Sequence, residues 1–239
     1  MKKNLYFIVP LIASLIFSFS SCISFKRDIV INKDGSGTEH LVITFEKLFY
    51  VMISSMTAFM DSSRQEGFLD SLYNDEIFMK ENLDKYDSVP GFNLLEFSSV
   101  TNSDSSKSFT FKYEFDSVYK IGKSVSAIKA QDSKLPDATI IFDNSDKENV
   151  IFRFDYSNRF YQDTGAVYTD ASTDSLTAEM MKGMAEMFEG GSIEIAIEFP
   201  YNIVSSNADS TYGKKLFWNS SMKNLIMEEK LLLEAVMKE

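Results

Sequence analysis

Apolar and polar residues alternate from Phe25 to Asn32 and again from Thr38 to Phe45, with Lys33-Asp34-Gly35-Ser36-Gly37 between them. A period of two puts successive side chains on opposite faces, the mark of a strand with one face buried. A glycine-bearing polar break joins two such runs into a hairpin. From Glu46 the period lengthens. Phe49, Ile53, Met56 and Met60 recur at three-to-four spacing, which predicts a helix. A second helical stretch runs from about Gln65 to Tyr86, with Phe68, Leu72, Ile77, Phe78 and Leu83 among charges, and Pro90-Gly91 ends it.

The alternation then returns. Strands are expected over 92–100 and 108–115 around the polar loop Asn102–Lys107, followed by a short helix over 118–128 with Val118, Ile121, Val125 and Ile128 on one face. Strands at 139–142 and 150–156 flank the acidic turn Asp143–Glu148, and 157–173 reads as a loop. Asp174 or Ser175 is placed to cap a helix to about Phe188, which Gly190-Gly191 ends. Further strands fit 192–199 and 214–218. In the tail Leu231, Leu233, Ala235 and Met237 alternate, which favours strand over helix. Hairpins punctuated by helices predict an α+β fold: a largely antiparallel sheet built from hairpins, with helices packed on one face. No Pro-, Gly- or Ser-rich linker divides residues 26–239, so they are read as a single domain.

The first residues follow a different logic. Lys2 and Lys3 precede an apolar run from Leu5 to Phe19, which would make a helix of roughly 22 Å. A hydrocarbon core is about 30 Å thick, so the run suits the apolar region of a secretory signal better than a permanent span. It closes in Phe19-Ser20-Ser21-Cys22, which resembles the lipobox of bacterial lipoproteins, with Phe19 where Leu, Val or Ile is usual. That resemblance implies a thiol that accepts a diacylglyceryl group and small residues where a peptidase cuts. Cys22 is the sole cysteine of the chain and stands where such a signal needs it.

Residues 1–21 are therefore expected to be a signal peptide cleaved between Ser21 and Cys22. Residues 22–25 would be the lipidated cysteine and a short tether, and the protein would sit on the extracytoplasmic side of a cell-envelope membrane. An ordinary signal peptide or an uncleaved anchor are the competing readings. With one thiol, stability must come from the core rather than from disulfides. Lys26 and Arg27, just beyond, read as solvated strand residues, with contact to lipid headgroups as the alternative.

Charge narrows the partners. The chain carries a formal net charge of −11, and loss of Lys2 and Lys3 with the leader makes the mature protein more acidic still. Nucleic acid is disfavoured, because phosphate binding needs a basic face. Hydrophobic residues make up 44% of the chain, enough for a packed core.

The search for chemistry returns little. His40 is the only histidine and no Gly-x-Ser-x-Gly elbow accompanies it, so a structural or solvated role is expected. Asn32-x-Asp34-Gly35 matches only the start of a calcium loop. No metal and no cofactor are expected, and no catalytic residue is assigned, although a carboxylate pair for glycoside hydrolysis is not excluded by sequence.

Methionine is the less ordinary feature. Met52, Met56 and Met60 are spaced four apart, and Met180, Met184 and Met187 make a second stripe. Core filling is the plain reading. The functional alternative is an adaptable apolar wall for a ligand, since thioethers are flexible and polarizable, and a thioether Cu(I) site is a remoter one. Five Asp-Ser pairs, beginning at Asp70, Asp87, Asp116, Asp174 and Asp209, resemble a bacterial O-glycosylation acceptor. Turn and cap formation is their plain reading.

Two segments resemble LppM-type bacterial envelope lipoproteins. One is the hairpin around Asp34-Gly35-Ser36-Gly37-Thr38. The other runs from the strand Ile193–Phe199 through Pro200 and Val204-Ser205-Ser206-Asn207 to Gly213 and Trp218. Tyr201 stands where that family commonly has glycine. The resemblance implies an envelope lipoprotein with a lipid-binding role and no catalytic residues to carry over. The expected function is thus that of a membrane-tethered, non-enzymatic envelope protein that contacts lipid or another envelope component. An assembly lipoprotein binding a protein partner is the alternative, and an acid/base hydrolase a more distant one.

Overall fold

The computed structural model of the chain describes residues 23–57, 90–121, 138–157, 182, 185–186, 188–228 and 230–239. In chain order these form β1 (Ile23–Ile31), β2 (Gly37–Phe45), α1 (Lys47–Thr57), β3 (Phe92–Thr101), β4 (Lys107–Phe115), β5 (Thr139–Asp143) and β6 (Val150–Ser157). There follow β7 (Ser192–Glu198), β8 (Asn202–Ser206), β9 (Ser210–Tyr212), β10 (Lys215–Ser221), α2 (Met222–Glu228) and β11 (Lys230–Lys238). A 3-10 turn spans Val118–Lys120.

The strands build two sheets. One has seven strands in the order β3-β4-β2-β1-β7-β10-β9, the other four in the order β5-β6-β11-β8. All the pairings are antiparallel except that of β1 with β7, where Ser24 to Val30 run beside Ser192 to Glu198. The expectation of one sheet with helices on one face is therefore corrected. The inner face of the large sheet meets a second sheet, and α1 and α2 are the short helices of the described residues. The physical reason is that a period of two states only that one face is buried, and either a helix layer or a second sheet can cover it. Helices expected at 65–86, over most of 118–128 and over most of 174–188 lie outside the described residues.

The alternation itself holds. In β1 and β2 the residues Ile29, Ile31, Leu41 and Ile43 are buried, while Lys26 and His40 on the opposite face are exposed. The inner residues of both sheets form one core, with the Phe152 ring of β6 lying 5.1 Å from that of Phe199, just past β7. Gly37 shows how tight the inner face is. A Cβ there would lie 2.0 Å from the Val30 carbonyl oxygen and 2.5 Å from the Phe115 ring, so only hydrogen fits.

A polar junction ties the sheets together. The Asn207 side chain accepts from Trp218 Nε1 of β10 at 2.8 Å and from the Glu234 N–H of β11 at 2.8 Å, and donates to the Leu232 carbonyl at 2.8 Å. One amide thus satisfies groups on both sheets.

Candidate functional site

Register fixes one end of the large sheet. Thr101 lies opposite Lys107, Lys107 opposite Phe45, and Phe45 opposite Ile23. On the other side Ser24 lies opposite Ser192, and Ser192 opposite Ser221. The chain therefore enters β1 in the middle of this row. β1 begins at Ile23, which is buried, so residues 23–25 belong to the strand. α1 starts two residues past Phe45, and α2 starts immediately after Ser221. Both helices flank the entry point.

Aromatic packing positions α1. The Phe45 ring lies 4.7 Å from Phe49 and 5.8 Å from Phe109, and Phe49 meets Tyr50 at 5.8 Å. Phe49 and Tyr50 are buried by these contacts, whereas Lys47, Leu48 and Val51 are exposed. Between α1 and the β3–β4 loop lies an open depression of about 670 Å³. Lys47, Tyr50, Val51 and Ser54 line it on one side, and Thr101, Ser105 and Lys107 on the other.

Its electrostatics are mixed. The Lys107 ammonium stands 5.3 Å from the centre of the Phe109 ring, a cation–π contact. Burial, with the Asp104 charge adding to it, pushes the Glu46 carboxyl above its ordinary value. Asp104 is held below its own, first by the Ser106 hydroxyl and then by the Ser106 N–H, at 2.7 and 2.9 Å. Ammonium, hydroxyl and apolar groups thus lie side by side in the depression, with the carboxyls of Glu46 and Asp104 close by. Sequence reading missed this place, because its walls come from two segments some fifty residues apart in the chain. One signal was available: Lys47–Thr57 contains no Asp or Glu in a strongly acidic protein.

The residues singled out from sequence fall as follows. Ser21, Cys22, Met60, Met180, Met184 and Met187 lie outside the described residues. Met52 and Met56 fall within α1, but their side chains lie outside them too. His40 is an exposed residue of β2, and among the described residues no group of three or more His, Cys, Asp or Glu could hold a metal ion. Asp34 is occupied by its own turn, accepting from the Ser36 hydroxyl at 2.6 Å and the Ser36 N–H at 3.0 Å. Of the Asp-Ser pairs, Asp116 bonds Lys120 at 2.8 Å and Asp209 accepts the Asn219 N–H at 2.6 Å. Both are local structural contacts.

Arg27 corrects its expectation. It is buried, its Nε donating to Glu39 at 2.6 Å and a terminal nitrogen to the Ile121 carbonyl at 2.6 Å, so it faces the core and is neither solvated nor turned to lipid. Lys26, on the outer face, is exposed and lies 3.6 Å from Glu194.

No helix among the described residues is long and apolar enough to cross a membrane. No family model and no curated protein matches the chain. Among solved structures it is similar to the folded domain of Mycobacterium tuberculosis LppM, with a TM-score of 0.43 and 10% identity over 91% of this chain and 90% of that chain.

Proposed function

We propose that this protein is a lipid-anchored component of a bacterial cell envelope that acts by contact, with lipid or with another envelope component, and not by catalysis. The observation that carries the reading is positional. The sole cysteine, Cys22, immediately precedes Ile23, the buried first residue of a central strand of the large sheet. Acylation of that thiol would attach the folded domain to the bilayer with almost no linker, since one or two residues reach only about 7 Å.

A contact role draws support from how the shifted carboxylates of the described residues are used, all but Glu46 being lowered. Asp34, Asp104, Asp143 and Asp146 are all held below their ordinary values by hydrogen bonds inside turns. Glu239 is brought to about 2 by hydrogen bonds from Lys33 and Lys147. Such groups are committed to structure, whereas a general acid or base needs a proton within reach of substrate. The test is metabolic labelling with palmitate in the native host. Wild-type protein should incorporate label and stay with membranes through a carbonate wash. Cys22→Ala should lose the label and leave the membrane fraction, because stable attachment needs more than one acyl chain. Retention of the alanine variant on washed membranes would replace this reading with an uncleaved anchor.

A further inference from the structure

We infer that the end of the molecule bearing α1 and α2 rests on the bilayer surface in a fixed orientation, with Leu48, Val51 and Met227 at the boundary between headgroups and acyl chains. The inference rests on lipid attachment at Cys22. It goes further by assigning a surface and a partner, the bilayer itself.

Three observations carry it. The first is where the chain enters. Gly191 packs so tightly that a Cβ on it would lie 3.0 Å from the Ile23 carbonyl oxygen and 2.9 Å from Met222 Cβ, so the start of α2 abuts the start of β1. On the other flank Ile23 pairs with Phe45, and α1 begins two residues later. Any lipid on Cys22 therefore emerges between the two helices.

The second is what those helices show to solvent. Leu48 is 47% exposed, Val51 53% and Met227 53%. Leu48 and Val51 are three residues apart and share a face of α1 opposite the buried Phe49 and Tyr50. An amphipathic helix lying in the plane of a membrane buries such a face to about 5–10 Å.

The third is the placement of charge. α1 carries Lys47 and no acid, and α2 carries Lys223, which lies 3.1 Å from Glu189. Glu46, Asp104 and Glu228 at the end of α2 are the other acids here. The opposite end carries Asp34, Asp143, Asp146 and Glu239, with Lys33 and Lys147 bonded to the last. That end lies about 30 Å away along β1, well beyond the ~8 Å over which an anionic surface is felt at physiological salt.

The experiment uses the full lipidated chain in vesicles of phosphatidylethanolamine and phosphatidylglycerol. Acylation converts the Cys22 thiol to a thioether, so a newly introduced cysteine is the one site open to a thiol-reactive fluorophore. Leu48→Cys, Val51→Cys and Met227→Cys are labelled, with Lys147→Cys as the far-end control. Vesicles with and without nitroxide-bearing lipid are compared. Labels at 48, 51 and 227 should show blue-shifted emission and lose intensity to the nitroxide, while the label at 147 does neither. Vesicle flotation and thiol reactivity of the unsubstituted protein report the anchor separately. Protein that floats with all four labels unquenched, or with only the 147 label quenched, overturns the orientation and leaves the anchor standing. Protein that fails to float, with Cys22 reactive, overturns both.

Discussion

The β1–β2 and β3–β4 hairpins turn on the same five-residue loop, Asn32-Lys33-Asp34-Gly35-Ser36 in one and Asn102-Ser103-Asp104-Ser105-Ser106 in the other. Each is closed by an N–H of the first residue bonding the carbonyl of the fifth at 2.8 Å, and by the fourth N–H returning to the first carbonyl at 3.0 Å. In each, the aspartate holds the serine by hydroxyl and N–H, and the asparagine amide donates to that serine at 3.0 or 2.9 Å. The fourth residue is left-handed in both, with φ of 83° at Gly35 and 68° at Ser105. A glycine takes that conformation without strain, while a serine does not. The Asn, Asp and Ser set is thus sufficient to define the loop, and glycine only lowers its energy.

The inner faces of the two hairpins differ more deeply. β1–β2 sets the buried Arg27–Glu39 pair among its aliphatic residues. β3–β4 fills the same layer with rings, Phe92 against Tyr113 at 4.7 Å and Phe97 against Phe111 at 4.9 Å. One hairpin sets a compensated charge pair within its inner face, and the other fills that face chiefly with rings, with the buried Lys107 at its loop end.

The largest expected effect comes from uncoupling that charge. Glu39→Ala removes a charge partner of the buried Arg27 guanidinium and should cost about 3–5 kcal/mol in urea unfolding. The double variant Arg27→Met, Glu39→Leu should recover most of it, because apolar replacement of a buried pair is often neutral or better. A double variant no more stable than Glu39→Ala would mean that the pair itself, and not its completeness, holds the hairpin. Phe111→Ala should cost a comparable 3–5 kcal/mol or so through the cavity it leaves, with no partner substitution able to restore it.

A smaller effect sharpens the loop comparison. Ser105→Gly should stabilise the domain by about 1 kcal/mol, and Gly35→Ser should destabilise it by a similar amount, judged from thermal unfolding. Equal and null changes at both sites would show that the Asn, Asp and Ser bonds absorb the strain completely.

The smallest is a pH effect. Asp34 and Asp104 both sit below the ordinary value of 3.8, chiefly through the hydroxyls of Ser36 and Ser106. Their contribution is fully present above that value and is lost as pH falls through the folded-state pKa, so both loops should loosen only in acid, below about pH 4. Ser36→Ala and Ser106→Ala should each narrow that acid dependence, followed by NMR titration of the two carboxyls. A titration midpoint unchanged by loss of the hydroxyl would refute the assigned cause.

The strands most visible in the sequence are those whose two faces meet different environments. β1, β2, β4, β7 and β11 alternate because water lies on one side and core on the other, and the tail's alternation of Leu231, Leu233, Ala235 and Met237 does form β11. β8, with the sequence NIVSS, and β9, with STY, sit at sheet edges and bury little, so they leave no periodic trace. α2, at seven residues, is too short to establish a helical period.

Of the candidate site, the sequence placed Cys22 ahead of a strand, with a tether to residue 25 that the structure takes into β1, but could not foresee the depression beside α1. By itself it determined where the strands with one buried face run, which turns close the hairpins and that a single thiol stands at their head, since each of these follows from local chemistry and spacing. Tertiary structure alone decided that a second sheet covers the first, that β7 returns parallel to β1, that Arg27 is buried on Glu39 and that two helices flank the chain entry. Those outcomes depend on which distant strands pair, and alternation encodes that a face is buried without encoding what buries it.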